Sequence, residues 1–332
     1  MNGGNIIIRQ EVFRTTRHLK FPEEVVLTFV YLSLLSGQSF LGVKEMIRSR
    51  EIQSAAQRLR RIEGRHNPLV KEVRQAFAHA ERTAQGDCAI EGLRIVEEAI
   101  RSGLHFRAVL FRESAHTLAQ RLLPQIGSHV ETLLLPDRVF DGAVPSESPQ
   151  GVAALVKLRE FSIADVLERL QVGPVIVVVG LQDPGNLGTL LRSAEAFGSA
   201  GVILGEGTVS PINSKVIRAS AGSIFRLPIV VEKKAGALDE LAAKLRKESV
   251  RLIATSSHKG TPIDQVNLAG PCAVFIGSEG AGLPKNIMAQ VDELVAIPHT
   301  PQVESLNAGV AGSIVLYEAA RQRRQHSTIN EH

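Results

Sequence analysis

Hydrophobic residues change rhythm along this chain. From Ala84 to about Val156 short segments alternate. Leu93–Ser102 repeats its apolar residues at helical spacing and stops at Gly103. Phe106–Phe111 and Val130–Leu135 read as strands with a helix over Ser114–Leu123 between them, and Val152–Val156 reads as a further strand. Beyond Phe161 the alternation becomes regular. Val175–Val179 is a valine-rich run closed by Gly180, the pattern of a strand buried on both faces of a parallel sheet. Further strands are predicted over Gly201–Leu204, Leu227–Val231, Arg251–Thr255, Ala273–Ile276 and Leu294–Ile297. Helices are predicted between them over Leu187–Phe197, Asn213–Ala219, Leu238–Lys247 and Pro284–Gln290, with a last one over Ser305–Gln325. Such alternation predicts an α/β fold: a mostly parallel sheet with helices on both faces, behind a smaller α/β domain.

The start of the chain is less regular. Residues 1–45 hold a basic stretch, an apolar run from Val25 to Leu35 and a Gly/Ser/Gln break. The run is too short to cross a bilayer, and no small-residue cleavage site follows it cleanly. Either Met46 is the biological start or the segment is a helical extension packed on the body. Ile47 to Arg82 turns helical and basic, with Arg48, Arg50, Arg58, Arg60, Arg61, Arg65, Lys71, Arg74 and Arg82 outnumbering the glutamates. Two readings stand: a strip facing phosphates, or a solvated helix face. Inside it, Asn67 is placed to cap a helix with Pro68 at its first position. The expected divisions are an extension (1–45), a small α/β domain (46–157), a larger α/β domain (158–326) and a tail (327–332).

Composition narrows the class. With 44% apolar and 22% charged residues, most of the 332-residue chain is expected to fold rather than remain disordered. A net charge of +4 permits a nucleic-acid partner without demanding one. Cys88 and Cys272 lie far apart in no ligand cluster, and the ten histidines show no metal spacing. No metal, no disulfide framework and no membrane span are expected, and a cytoplasmic location follows.

Ligands of open parallel sheets bind beyond the carboxyl ends of the strands. Three Gly-containing loops fall there. Gly180-Leu181-Gln182-Asp183-Pro184-Gly185-Asn186-Leu187-Gly188 has glycines at the spacing of a phosphate loop. However, Asn186 and Leu187 stand where a lysine and a hydroxyl would be needed, and GxGxxG is absent, which argues against an NTPase or a dehydrogenase. What remains is a loop presenting Asn186 and, further into the helix, Arg192. In the second loop, Gly277-Ser278-Glu279-Gly280-Ala281-Gly282, glycines surround one carboxylate and permit close backbone approach. The third, Ile297-Pro298-His299 through Ser305-Leu306-Asn307, ends in a polar pair where the last helix begins. A plain helix cap is its bland alternative.

Together, Asn186-x-Gly188-x-x-x-Arg192, Gly277-Ser278-Glu279-Gly280 with Gly282, and Ser305-Leu306-Asn307 resemble the three ordered motifs of the SpoU/TrmH family. These are the ribose-2′-O RNA methyltransferases of the SPOUT superfamily. Asn67-Pro68-Leu69-Val70-Lys71 and Glu91-Gly92-Leu93-Arg94-Ile95-Val96 resemble that family's N-terminal substrate-binding domain. The resemblance implies a deep trefoil knot from about Arg251 to the last helix, a homodimer with its active site at the interface, and S-adenosylmethionine bound in a bent shape. It implies that Gly277, Gly280, Ile297 and Leu306 contact the cofactor, joined by Thr255 or Ser256. Asn186, Ser305 and Asn307 would fix geometry, and Glu279 would orient Arg192 or a residue of the partner. Arginine is a poor base, its pKa lying above about 12, so Arg192 is expected to orient the hydroxyl or a phosphate. Arg65, His66, Asn67 and Lys71 are candidate RNA contacts, a capped surface helix being the alternative. Ribosomal RNA is favoured over transfer RNA. The rival reading is a non-catalytic RNA-binding protein that keeps the fold.

Overall fold

A computed structural model describes residues 58–329 except 235, 258 and 279, so the extension 1–45 and Glu279 lie outside the described residues. The first sheet comprises β1 (Arg60–Arg61), β2 (Cys88–Glu91), β3 (His105–Arg112), β4 (Glu131–Leu135) and β5 (Val152–Lys157), in the order β1-β4-β3-β5-β2. β5 runs antiparallel to both β3 and β2, and the other pairings are parallel. Helices α1 (Pro68–His79) and α4 (Asp137–Asp141) bury Leu69, Val73 and Phe140 on one face. α2 (Leu93–Arg101) and α3 (His116–Leu122) bury Ile95, Val96 and Leu122 on the other. The cap of α1 forms as its residues dictate: Asn67 accepts from the N–H groups of Leu69 and Val70, and Pro68 opens the helix.

The second sheet is wholly parallel. Its strands are β6 (Val175–Val178), β7 (Gly201–Leu204), β8 (Ile229–Val231), β9 (Arg251–Ser256), β10 (Thr261–Pro262), β11 (Cys272–Ile276) and β12 (Glu293–Ala296), ordered β10-β12-β9-β11-β6-β7-β8. β6 and β11, at its centre, are buried at every position, as their unbroken apolar sequences require. α6 (Pro184–Ala196), α7 (Ser214–Ala219) and α10 (Ala308–Ile329) cover one face. α5 (Ile163–Leu167), α8 (Ala237–Lys247) and α9 (Lys285–Met288) cover the other. The chain leaves β9 for the edge at β10, returns to slot β11 between β9 and β6, and crosses back to β12 beyond β9. It ends with α10 laid on α6. This doubling back is the path that the knotted fold implies.

Several expectations are corrected. The basic stretch from Ile47 to Arg82 is not helical throughout: ahead of α1, Arg60 and Arg61 form an edge strand on β4. Much of its charge is used internally, because Arg58 donates to the carbonyls of Gly127 and Leu123, Arg74 to that of Gly142, and Arg60 pairs with Glu131. β2 was not foreseen, since four residues ending in a glutamate carry too short a pattern to read. The last helix starts at Ala308 rather than Ser305 and runs to Ile329. Among the described residues, no helix is long and apolar enough to cross a membrane.

The two sheets share an interface. Ile217, Ile224 and Phe225, which follow β7 in sequence, are buried in the first sheet's core cluster. Gly222 (φ +89°) permits this approach, because a Cβ there would stand 2.8 Å from the Cβ of Glu98. Arg226 bridges the halves: it donates to Glu98 on α2 (3.1 Å) and to Ser102 just past that helix (2.9 Å), and holds Glu195 on α6.

Candidate active site

Loops beyond the carboxyl ends of β9, β11 and β12 enclose a cleft of about 420 Å³, within the range of small-molecule sites. Its lining includes all six expected cofactor residues: Thr255, Ser256, Gly277, Gly280, Ile297 and Leu306. Ser305 lines it as well. The loop after β11 is pinned by a two-way backbone bridge, Ser278 N–H to Gly282 O (3.3 Å) and Gly282 N–H to Ser278 O (3.0 Å). Gly277 must be glycine there, since a Cβ would sit 2.3 Å from the backbone carbon of Gly282. On the β9 side, Thr255 donates to the carbonyl of Phe275 (3.3 Å), and the hydroxyl of Ser256 accepts from the N–H of Lys259 (3.2 Å).

These residues fit S-adenosylmethionine. Gly277, in the cradle too tight for a Cβ, leaves backbone groups open to a ligand, Thr255 and Ser256 supply hydroxyls, and Leu283, Met288 and Val295 supply apolar surface for a flat heterocycle. Met288 and His299 line the cleft without having been singled out. His299 shares a 2.7 Å hydrogen bond between its Nδ1 and the carbonyl of Ile297, which holds its ring against the loop. Its place in the third loop was the available signal. Among the described residues, no group of His, Cys, Asp and Glu is suited to a metal ion.

Beside the cleft the first and third motifs meet. Asp183 caps α6 by accepting from the N–H of Asn186 (2.7 Å), which fixes Asn186 in the first turn. The side-chain amide of Asn307 donates to Oδ1 of Asn186 (2.8 Å), across a gap of 121 positions. Asn307 also caps α10, accepting from the N–H of Val310 (3.1 Å), so the bland reading and the joining of motifs are both true of it. Small residues let α10 come this near. A Cβ at Gly309 would lie 2.9 Å from the carbonyl oxygen of Asn186, and one at Gly312 would lie 2.4 Å from Leu190. One turn further on, Ser313 donates to the carbonyl of Gly309 (2.7 Å), and its oxygen accepts from Ser193 of α6 (2.7 Å).

Arg192 is exposed, two residues beyond Leu190 on α6, and its guanidinium has no hydrogen bond or ion pair among the described residues. The structure therefore joins Asn186 to Asn307 and sets Ser305 on the cleft, but among the described residues no hydrogen bond or ion pair ties Arg192 to these three. Arg65, His66 and Lys71 are exposed at the start of α1, away from the cleft's lining, while the Asn67 carbonyl is occupied by its cap.

The neighbourhood of known proteins agrees. The SpoU rRNA Methylase family profile matches residues 173–317, and that of the MRM3-like substrate binding domain matches residues 67–154. An uncharacterized tRNA/rRNA methyltransferase of Synechocystis is 35% identical over 271 residues, covering 80% of this chain and 96% of its own. The 23S rRNA (guanosine(2553)-2′-O)-methyltransferase RlmP of Bacillus subtilis is 30% identical over 259 residues, covering 78% and 98%. Among solved structures, the SpoU methyltransferase AviRb of Streptomyces viridochromogenes in complex with AdoMet superposes with a TM-score of 0.67 at 26% identity, covering 78% of this chain and all of that one. With its sheet order, cleft and joined motifs in place, the chain belongs to the SpoU family of S-adenosylmethionine-dependent RNA methyltransferases.

Proposed function

We propose that this protein methylates a ribose 2′-hydroxyl of ribosomal RNA as a homodimer in the cytoplasm, with residues 46–157 holding the RNA and residues 158–326 doing the chemistry. The observation that carries the reading is the 2.8 Å hydrogen bond between Asn186 and Asn307 at the edge of the glycine-walled cleft. RlmP, a 2′-O-methyltransferase of 23S rRNA, supports the choice of RNA and of the atom modified. Two buried free thiols, Cys88 and Cys272, agree with a reducing compartment.

S-adenosylmethionine supplies a methyl group already activated on a sulfonium, so the protein's share of the work is alignment. Thr255, Ser256, Gly277, Gly280, Ile297 and Leu306 would hold the cofactor. Asn186, Ser305 and Asn307 would set the angle at which the ribose oxygen approaches. Arg192, whose guanidinium stays charged, would orient the hydroxyl or its neighbouring phosphate, with the proton leaving late. Glu279 would orient Arg192 or a residue of the partner. At the other end, Arg65, His66, Asn67 and Lys71 would meet RNA phosphates.

The test is methyl transfer from tritiated S-adenosylmethionine to rRNA from cells lacking the gene, with the product mapped by alkaline resistance at the modified ribose. One resistant position is expected with the wild type and none with Arg192→Ala, which should still sediment as a dimer. Cofactor binding without any transfer would favour the non-catalytic RNA-binding reading.

A further inference from the structure

A second cavity, of about 330 Å³, lies where the two sheets meet, and nothing in the methyl-transfer reading uses it. Its walls come from both halves: Arg94, Ser148 and Gln150 from the first, Arg218 on α7 from the second. At its base the Glu91 carboxylate is almost fully buried. It accepts from the Ser146 hydroxyl (2.8 Å) and lies 3.6 Å from Arg218, which itself donates to Ser146 (3.2 Å). Burial raises the Glu91 pKa, while the bond from Ser146 and the charge of Arg218 oppose that rise. Arg94 is exposed at the mouth, and its guanidinium has no partner among the described residues.

The backbone adds donors. α2 begins at this cavity behind Gly92, which has no side chain to cap it. Gln150 accepts from the N–H of Leu93 (3.0 Å), and the N–H groups of Arg94 and Ile95 have no acceptor among the described residues. Two guanidinium groups against one carboxylate leave one positive charge, which matches the single negative charge of a phosphodiester better than a dianionic terminal phosphate. One wall of the cavity, α7, also packs on the helix that carries Asn186 and Arg192. α7 packs on α6 where a Cβ at Gly188 would lie 2.3 Å from Ala219, next to Arg218, and Arg192 follows Gly188 by one helical turn, about 6 Å.

We propose that this cavity is a phosphodiester site, in which Arg94, Arg218, Ser148 and the start of α2 grip one backbone phosphate of the RNA close to the ribose to be methylated. Because its walls belong to different halves, the bound phosphate fixes the first domain against the helix that carries Asn186 and Arg192. The inference rests on the methyltransferase reading for the identity of the RNA, but its own evidence is the charged cavity.

The experiment measures binding of rRNA from cells lacking the gene to the full chain, by fluorescence anisotropy, from about 50 to 200 mM salt. Arg94→Gln removes an exposed charge with no internal partner, so folding should be untouched. It should weaken binding about tenfold at the upper salt concentration and reduce the slope of log K against log salt by roughly 0.7–0.9, the signature of one lost phosphate. The affinity for S-adenosylmethionine should not change. A slope equal to that of the wild type would overturn the site even if methylation of the same rRNA is normal. A reduced slope with no 2′-O-methyl product from the wild type would keep the site and discard the methyl-transfer reading.

Discussion

Asn307 does two things that a pair of substitutions can pull apart. Its side chain caps α10 through the N–H of Val310 and donates to Asn186. Serine is also a good cap, so Asn307→Ser should keep the helix start and lose the bridge, whereas Asn307→Ala loses both. The cap contributes about 1 kcal/mol, equivalent to roughly 2–4 °C in Tm for a domain of this size. The bridge is a neutral hydrogen bond with a net value of about 0.5–1.5 kcal/mol. If all of that is felt in the positioning of the ribose, kcat falls by about 2- to 13-fold. The expected pattern is therefore a near-normal melting temperature with reduced turnover for Asn307→Ser, and losses in both for Asn307→Ala. Differential scanning fluorimetry and single-turnover methyl transfer at saturating cofactor read the two quantities separately. If Asn307→Ser keeps wild-type turnover while Asn307→Ala loses activity only in step with its stability, Asn307 is a helix cap alone and the joining of the motifs has no catalytic meaning.

Other expectations are as direct. Gly277→Ala forces a methyl group onto the backbone of Gly282, so calorimetry should show S-adenosylmethionine affinity down by at least about tenfold, a cost of some 1.4 kcal/mol; unchanged affinity would mean that the cofactor does not use this wall. Arg226 holds the Glu195 carboxyl below its ordinary pKa, so the pair stabilises the fold above the usual glutamate range and loses that contribution as pH falls through the depressed value. Both groups are partly exposed, so the effect should stay under about 1 kcal/mol. The melting temperature of Glu195→Gln should consequently trail the wild type at pH 7 and converge with it once pH has fallen below the depressed carboxyl pKa. Burial pushes the Cys88 thiol up to about 12 and the Cys272 thiol up to about 11, so neither should react with Ellman's reagent at pH 8 until the chain is unfolded.

The second sheet was legible in the sequence because its central strands are buried on both faces. Val175–Val178 and Cys272–Ile276 carry no polar residue that would blur the run, and Gly180 and Gly277 mark where each one stops. Edges were harder. Arg60–Arg61 is a strand only because β4 offers it backbone partners, and its exposed arginines carry no period. Ser305 looked like a helix start, but the cap is Asn307, and the backbone is first helical at Ala308. In the cleft, Thr255, Ser256, Gly277, Gly280, Ile297, Ser305 and Leu306 were singled out by type and spacing, whereas Met288 and His299 reach it through a crossing of strands that no local pattern records. The same holds for the cavity at Arg94 and Arg218, residues 124 positions apart that are neighbours only because α7 turns back onto the first sheet.

The placement of α10 has a consequence for biosynthesis. Asn186 emerges from the ribosome long before Asn307, and until the C-terminal helix docks, the amide it waits for does not exist in space. A nascent or truncated chain can thus display every strand of β6 to β12 and still lack the contact between the first and third motifs. The joining of these two distant motifs is therefore a mark of finished synthesis, made only once the last helix has been released and laid down.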